Sequence, residues 1–219
     1  ALSLNHFDTL RDSATAAPGY HFVNWSVSGG VTTVDSDSTG AFVISGSGTV
    51  TANFAINSYS LTVNAGANGS TSPSGSVSVS HGAATQIVAL PAAGYNFVRW
   101  TRSGAQATIA HSTNDTTTVS ITADATVSAV FAIKTYSLTL SATNGSVTKS
   151  PNLTAYDSNS TVTLTPVPNT GYHFTSWSGD LSGSGNPDSI VMNTSKSVTA
   201  NFAINAYSVT VSSAGNGSV

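Results

Sequence analysis

The chain has 219 residues, only 7% of them charged: three Lys, three Arg, nine Asp and no Glu. Glu and Lys usually cover exposed helical faces, so their scarcity argues against a helical protein. The absence of Cys excludes disulfides, thiolate zinc sites and cysteine nucleophiles. A net charge of −3 without a basic cluster argues against nucleic acid as a partner, and no run of 18 apolar residues predicts membrane insertion in this segment.

Three short motifs recur along the chain in a fixed order. A Gly-Tyr-x-Phe-x-x-Trp motif occurs at 19–25, 94–100 and 171–177. A Phe-Ala-Ile motif occurs at 54–56, 131–133 and 202–204, and a Tyr-Ser-x-Thr motif at 59–62, 136–139 and 207–210. The last motif returns after 77 and then 71 residues, a spacing that predicts a tandem array of small domains.

Within the unit that starts at Tyr59, alternating apolar residues predict a series of short strands. Residues 59–65 form the first of these, and the Gly-, Asn- and Ser-rich segment 66–75 is predicted to be a turn region. Further strands are predicted, in chain order, around 77–79, 87–90, 95–100, 119–121 and 127–131. No segment has a helical period, so each unit is predicted to be an all-β module.

The joins between units are predicted to be very short. Ala52, Phe54 and Ile56 occupy even positions, whereas the apolar residues of the next strand occupy odd ones, so the buried face switches at residues 57–58. The predicted divisions are 1–57 as a repeat without its opening strand, 58–134 and 135–205 as complete repeats, and 206–219 as the opening strand of a further repeat. Such joins favour a rod, and three modules in line would span about 90 Å.

These three ordered motifs resemble the internalin-type B-repeat in its divergent bacterial form. The resemblance covers essentially the whole chain. It implies a compact β-grasp-like module that occurs in tandem in bacterial surface and secreted proteins. Members of that family mostly act as spacers, stalks or adhesive segments, and the resemblance carries over no catalytic residue.

The aromatic residues of the motifs have two possible roles. Trp25, Trp100 and Trp177 could form a platform for sugar rings, but large aromatic side chains in so small a domain are more often buried. We therefore predict a structural core, made up of Tyr20, Phe22, Trp25, Phe54, Tyr59, Leu61, Val63, Tyr95, Phe97, Trp100, Phe131, Tyr136, Tyr172, Phe174, Trp177 and Phe202.

No candidate catalytic or metal site recurs among the repeats. His21 and His173 share one position, but Asn96 replaces them in the middle copy, which suits an exposed residue better than a metal ligand. Asp35 and Asp37 resemble the start of a calcium loop but lack the carboxylate that should follow, so a solvated turn is predicted. We predict no catalytic residues, no bound metal and no cofactor.

The two ends of the chain fall at nearly the same point of a module. The first repeat therefore lacks an opening strand, and the strand with Tyr207, Val209 and Val211 has no module of its own. Three arrangements would supply the missing strand: donation of 207–219 by the next copy, head to tail; folding back of the same strand into a ring; or neighbouring sequence in a longer array. Tyr207, Val209 and Val211 are the candidate assembly strand.

The sequence thus predicts an all-β tandem array of β-grasp-like or β-sandwich modules of about 71–77 residues, joined by very short linkers. Its predicted function is that of a non-enzymatic structural protein outside the cell, a stalk, spacer or head-to-tail fibre of a bacterial surface protein. The alternative is an adhesin module that binds carbohydrate or a host cell surface through its variable loops, 101–117 and 178–189. The predicted partners are neighbouring repeats, further copies of the chain, or a surface glycan.

Overall fold

The computed structural model describes residues 3–218. Within that range the chain forms strands and no helix, which confirms the prediction of an all-β protein. Its contacts divide it into two compact units. The first runs to Ala92 and includes Phe97–Ala132, and the second comprises Ala93–Asn96 and the residues from Ile133 onwards.

The first repeat is one sheet built around a long hairpin. Its strands are β1 (Thr9–Arg11), β2 (Tyr20–Asp35) and β3 (Ala41–Ile56), and β3 lies in the middle. β2 and β3 pair antiparallel from Tyr20 opposite Ile56 to Asp35 opposite Ala41. Gly30 and Gly46 let the two strands approach closely, because a Cβ on Gly30 would come within 2.4 Å of the Gly46 backbone.

The second repeat consists of two four-stranded sheets. Its strands are β4 (Ser58–Ala65), β5 (Gly69–Ser72), β6 (Gly75–Ser80), β7 (Thr85–Pro91), β8 (Tyr95–Ser103), β9 (Ala107–Ile109), β10 (Thr116–Ile121) and β11 (Ala125–Ile133). One sheet has the order β6-β4-β11-β8 and the other the order β5-β7-β10-β9. The opening strand β4 and the closing strand β11 lie side by side and parallel.

The third repeat has the same plan with shorter strands. Its strands are β12 (Thr135–Tyr136), β13 (Leu138–Ala142), β14 (Gly145–Ser150), β15 (Tyr156–Asp157), β16 (Thr161–Pro168), β17 (Tyr172–Gly179), β18 (Asp188–Val191) and β19 (Lys196–Ile204). The two main sheets have the orders β13-β19-β17 and β14-β16-β18, and β12 pairs with β15. Opening strand β13 and closing strand β19 are again parallel.

A separate apolar core fills each complete repeat. In the second repeat its fully buried members include Leu61, Val63, Ile87, Ile121 and Val127. In the third they include Tyr156, Val162, Leu164, Met192 and Val198. Alternation along each strand places these side chains between the two sheets, so each repeat buries its own apolar face.

The structure distributes the sixteen predicted core residues over three levels of burial. Buried are Leu61, Val63, Trp100 and Trp177. Half-buried are Phe22, Trp25, Tyr59, Tyr95, Phe97, Phe131, Tyr136, Tyr172, Phe174 and Phe202. Tyr20 and Phe54 are 47% and 40% exposed, so their prediction as core residues was wrong.

The exposure of Phe54 has a local cause. In the complete repeats the equivalent rings lie against the glycine that follows the opening strand: Phe131 on Gly69 and Phe202 on Gly145. The first repeat has no opening strand among residues 3–218, so no such backbone covers Phe54. Tyr20 pairs with Ile56 at the same end of the sheet, and Ile56 is also exposed.

One strand was missed at the sequence level. The predicted turn region 66–75 contains β5, whose residues Gly69–Ser72 pair antiparallel with residues of β7. The turn itself is compressed around Asn68, which adopts a φ of +71°. Asn tolerates this left-handed backbone better than most residues, so a short turn leaves room for an additional strand.

Candidate functional site

A single residue, Asn57, separates β3 from β4. Its backbone N–H donates a hydrogen bond to the Gly19 carbonyl oxygen at 2.8 Å, and its own carbonyl oxygen accepts one from the His81 N–H at 2.8 Å. Both polar groups of the join are therefore satisfied, one by the preceding repeat and one by the following repeat. The join is held from both sides and carries no slack.

The same backbone bonds recur in the second unit. The Lys134 N–H donates to Gly94 O at 2.8 Å, and the Lys134 carbonyl accepts from the Ser158 N–H at 2.8 Å. The Asn205 N–H donates to Gly171 O, also at 2.8 Å. We call residues 57, 134 and 205 the junction residues. Because main-chain groups make these bonds, the side chain at a junction residue is free to differ.

Side chains reinforce two of the junctions. His21 Nδ1 lies 2.7 Å from Asn57 Oδ1, and His173 Nδ1 lies 2.9 Å from Asn205 Oδ1. In the middle copy both positions change together, to Asn96 and Lys134. This paired change was a signal in the sequence that the two positions meet, and the sequence analysis missed it.

His81 has a packing role at the first junction. Its imidazole lies against the Gly19 backbone, where a Cβ would come within 2.3 Å of the ring, and 5.8 Å from the Tyr59 ring centroid. Together with the contact of His21 to Asn57, this places two histidines at one junction as structural residues. Among residues 3–218 no group of three or more His or Asp residues is placed to hold a metal ion.

The strongest structural feature common to both complete repeats is the pairing of their first and last strands. In the second repeat five residues of β4, Leu61 to Ala65, are in register with Ala125 to Ala129 of β11. In the third, Leu138 to Ala142 of β13 are in register with Lys196 to Ala200 of β19. Carboxylates anchor the pairs: Asp124 Oδ1 accepts from the Ser60 N–H, and Asp180 Oδ2 from the Ser197 N–H.

The three tryptophans fasten loops to the sheets. Each indole Nε1–H donates to a main-chain carbonyl in the loop that follows its own strand: Trp25 to Asp37, Trp100 to Asn114, and Trp177 to Gly185. Trp100 is 2% exposed and Trp177 is 3% exposed. Neither presents a ring face to solvent, so the structure gives no support to a sugar platform in these two repeats.

A shallow cleft of about 480 Å³ lies beside β8 in one of the variable loop regions. The Arg102 guanidinium bonds to the carbonyl oxygens of Ala105 and Ala107, so its donors serve the loop itself. The cleft is lined by Trp100, Thr101, Arg102, Thr108, Ile109 and Ser112. Nothing in this lining is a charged group directed at a ligand.

The Asp-rich turn after β2 stabilises itself. Asp37 Oδ1 accepts hydrogen bonds from the Thr39 hydroxyl and the Thr39 N–H, each at 2.7 Å. These bonds hold the pKa of the Asp37 carboxyl below its usual range, with the hydroxyl contributing most. The carboxylate is therefore engaged by its own turn.

The candidate assembly strand has no strand partner in the chain. Tyr207, Val209 and Val211 are 85%, 86% and 68% exposed, and residues 206–218 contain no strand. No helix within residues 3–218 is long and apolar enough to pass through a membrane.

The fold and these contacts define an all-β protein of tandem repeats, with paired terminal strands and one-residue joins. A sequence model of the family described as divergent InlB B-repeat domain matches residues 8–58, 59–135 and 136–206. The chain belongs to this family, which confirms the predicted resemblance. No curated protein and no solved structure is significantly similar to it.

Proposed function

We propose that the chain is a non-enzymatic, extracellular spacer of a bacterial surface protein, and that its repeats resist mechanical load. The observation that carries this proposal is the parallel pairing of the first and last strand in each complete repeat. Membership of a repeat-domain family of surface proteins supports the structural role and the location.

Parallel terminal strands determine how a pulling force acts on a repeat. The chain enters the second repeat at one end of β4 and leaves it at the opposite end of β11, because the two adjacent strands run in the same direction. Tension along the chain therefore shears the strands past each other and loads all five registered pairs at once. An antiparallel pair pulled from one end would instead open one pair at a time.

The joins complete the path of the force. At each junction the chain passes from a closing strand to the next strand through one residue, and the backbone bonds of Asn57 and Lys134 hold it in place. No flexible linker is present to take up tension before the strands do. The low charge and the Ser- and Thr-rich surface are suited to a spacer without a specific ligand.

Force spectroscopy on the cysteine-free chain tests this proposal, because handles can be attached at introduced cysteines. In Ser58→Cys with Lys134→Cys, force is applied across the whole second repeat. In Ser58→Cys with Ser80→Cys, force separates β4 from β6 at residues that lie opposite each other in an antiparallel pair. Complete unfolding of one repeat should lengthen the chain by roughly 250 Å.

We expect the first geometry to require a several-fold higher unfolding force than the second. The second geometry is the matched control, because both doubly substituted chains retain the same core and thermal denaturation shows whether their stabilities are equal. Equal forces in the two geometries, or a lower force in the first, would overturn the load-bearing role. Family membership and the fold would be unaffected by that outcome.

A further inference from the structure

The outer edge of β3 is open where both complete repeats have a strand. β2 pairs with one side of β3, and on the other side β1 covers only Ala41–Val43. Among residues 3–218 no strand pairs with Gly48–Ala52 on that side. The equivalent segments of the complete repeats, Ala125–Ala129 and Lys196–Ala200, pair there with their opening strands.

This open edge has the properties of a site for an added strand. Unpaired backbone N–H and C=O groups at a sheet edge are a template for another chain, and proteins usually protect them with charges, prolines or bulges. Residues 45–56 contain no charged residue and no proline. At the end of the segment the Phe54 ring is 40% exposed, whereas Phe131 and Phe202 lie against glycines.

Residues 207–218 have the sequence of the strand that this edge lacks. Tyr207, Val209 and Val211 repeat the pattern of Tyr59, Leu61 and Val63. Gly217 follows at the same distance as Gly69 follows Tyr59, and no atom lies within 4 Å of the position of its Cβ. The segment carries no charge, so nothing repels it from the uncharged edge.

We propose that residues 207–218 of one copy of this chain add to β3 of a second copy as a parallel strand. The registers of the two complete repeats fix the alignment: Val209 lies opposite Gly48, Val211 opposite Val50, and Ser213 opposite Ala52. Gly217 then lies under the Phe54 ring, as Gly69 lies under Phe131. The inference does not depend on the proposed load-bearing function.

Such a contact joins different surfaces of the two copies. Each copy has one acceptor edge and one donor segment, so the contact is heterologous and each added copy presents a new donor and a new acceptor. Backbone hydrogen bonds supply affinity, and the alternate side chains that enter the core supply register, as in other cases of strand addition. The expected product is a row of copies in which the repeats continue across each contact.

Disulfide trapping tests the contact and its register, since the native chain has no cysteine. In Val50→Cys with Val211→Cys, the two thiols should lie opposite each other across the contact, and mild oxidation should give a ladder of dimers, trimers and larger species. The matched control is Val50→Cys with Thr210→Cys, in which the second thiol is one residue out of register and on the other face of the strand. We expect at least tenfold less cross-linking there.

A mixture of the two single variants, Val50→Cys and Val211→Cys, should give dimers that contain one chain of each. Equal cross-linking in the register control would overturn the alignment. An oxidised product of monomer mass in the double variant would show that the strand folds back within its own chain, which would overturn assembly between copies.

A charge placed in the donor segment provides a second test that does not risk unfolding the chain. Val211 is 68% exposed in the single copy, so Val211→Lys should leave thermal denaturation unchanged. In the assembly the same side chain would enter the core, so we expect association measured by light scattering to weaken at least tenfold. Unchanged association in Val211→Lys, or a native chain that stays monomeric at every concentration, would overturn the proposal.

Discussion

The ring of Phe131 lies directly on the backbone of Gly69, where an added Cβ would come within 2.4 Å of it. Phe202 lies on Gly145 in the same way, with 2.6 Å to the added Cβ. Neither glycine has a positive φ, so neither is required by the backbone. The flat contact between the closing Phe ring and the start of the next strand is what excludes a side chain at this position.

Gly69→Ala should therefore destabilise the second repeat. The new methyl group has to displace Phe131 from its packing against Phe97, and overpacking of this kind costs about 1–3 kcal/mol of the free energy of unfolding. Hydrogen exchange of the β5 amides in the native chain measures the loss within this repeat. Gly217→Ala, which meets no atom within 4 Å, is the control, and a dilute monomeric sample should show no change. An equal loss in both variants would show that the effect is not steric.

Fluorescence quenching should rank the three tryptophans by burial. Trp100 and Trp177 are almost inaccessible, whereas Trp25 is half-buried because its repeat has a single sheet. In variants that retain one Trp each and carry Phe at the other two positions, acrylamide should quench Trp25 several-fold more strongly. Strong quenching of Trp100 or Trp177 would contradict the core role and restore the sugar platform as a candidate.

The turn at Asp37 should respond to acid. Its folded pKa is lowered by the Thr39 hydroxyl and N–H, so these bonds stabilise the turn above the unfolded pKa and are lost as the pH falls through the folded pKa. Carbon-13 NMR titration of the carboxyl group gives this pKa directly. Thr39→Ala removes the hydroxyl and should raise the pKa of Asp37 towards its ordinary value. Thr39→Ser keeps the hydroxyl and should leave it low, and an identical rise in both variants would rule out the hydroxyl as the cause.

The strands and the one-residue joins were predictable because they depend on local patterns. Alternation along 59–65, and the change of parity across residues 57–58, are visible without any knowledge of the fold. The number of repeats followed from the recurring motifs. These features are repeated three times in one chain, and the repetition separates signal from the background of a Ser- and Thr-rich composition.

The contacts between distant segments were less accessible. Phe54 and Phe131 have the same sequence neighbours, yet only Phe131 has a glycine beneath its ring, because burial depends on which strand occupies the adjacent edge. β5 was hidden in a segment whose composition is typical of turns. Pairing with β7 stabilises it as a strand, which is a tertiary effect that overrides local propensity.

The indole bonds have a consequence for how the repeats can vary. Trp25, Trp100 and Trp177 each fasten a loop through a main-chain carbonyl, a group that every amino acid provides. A loop can therefore change its entire sequence while its anchor persists, and the loops after β2, β8 and β17 do differ in sequence. The fold is for this reason a natural scaffold for grafting: foreign peptides spliced into these three loops would each be displayed from a core that does not read their sequence.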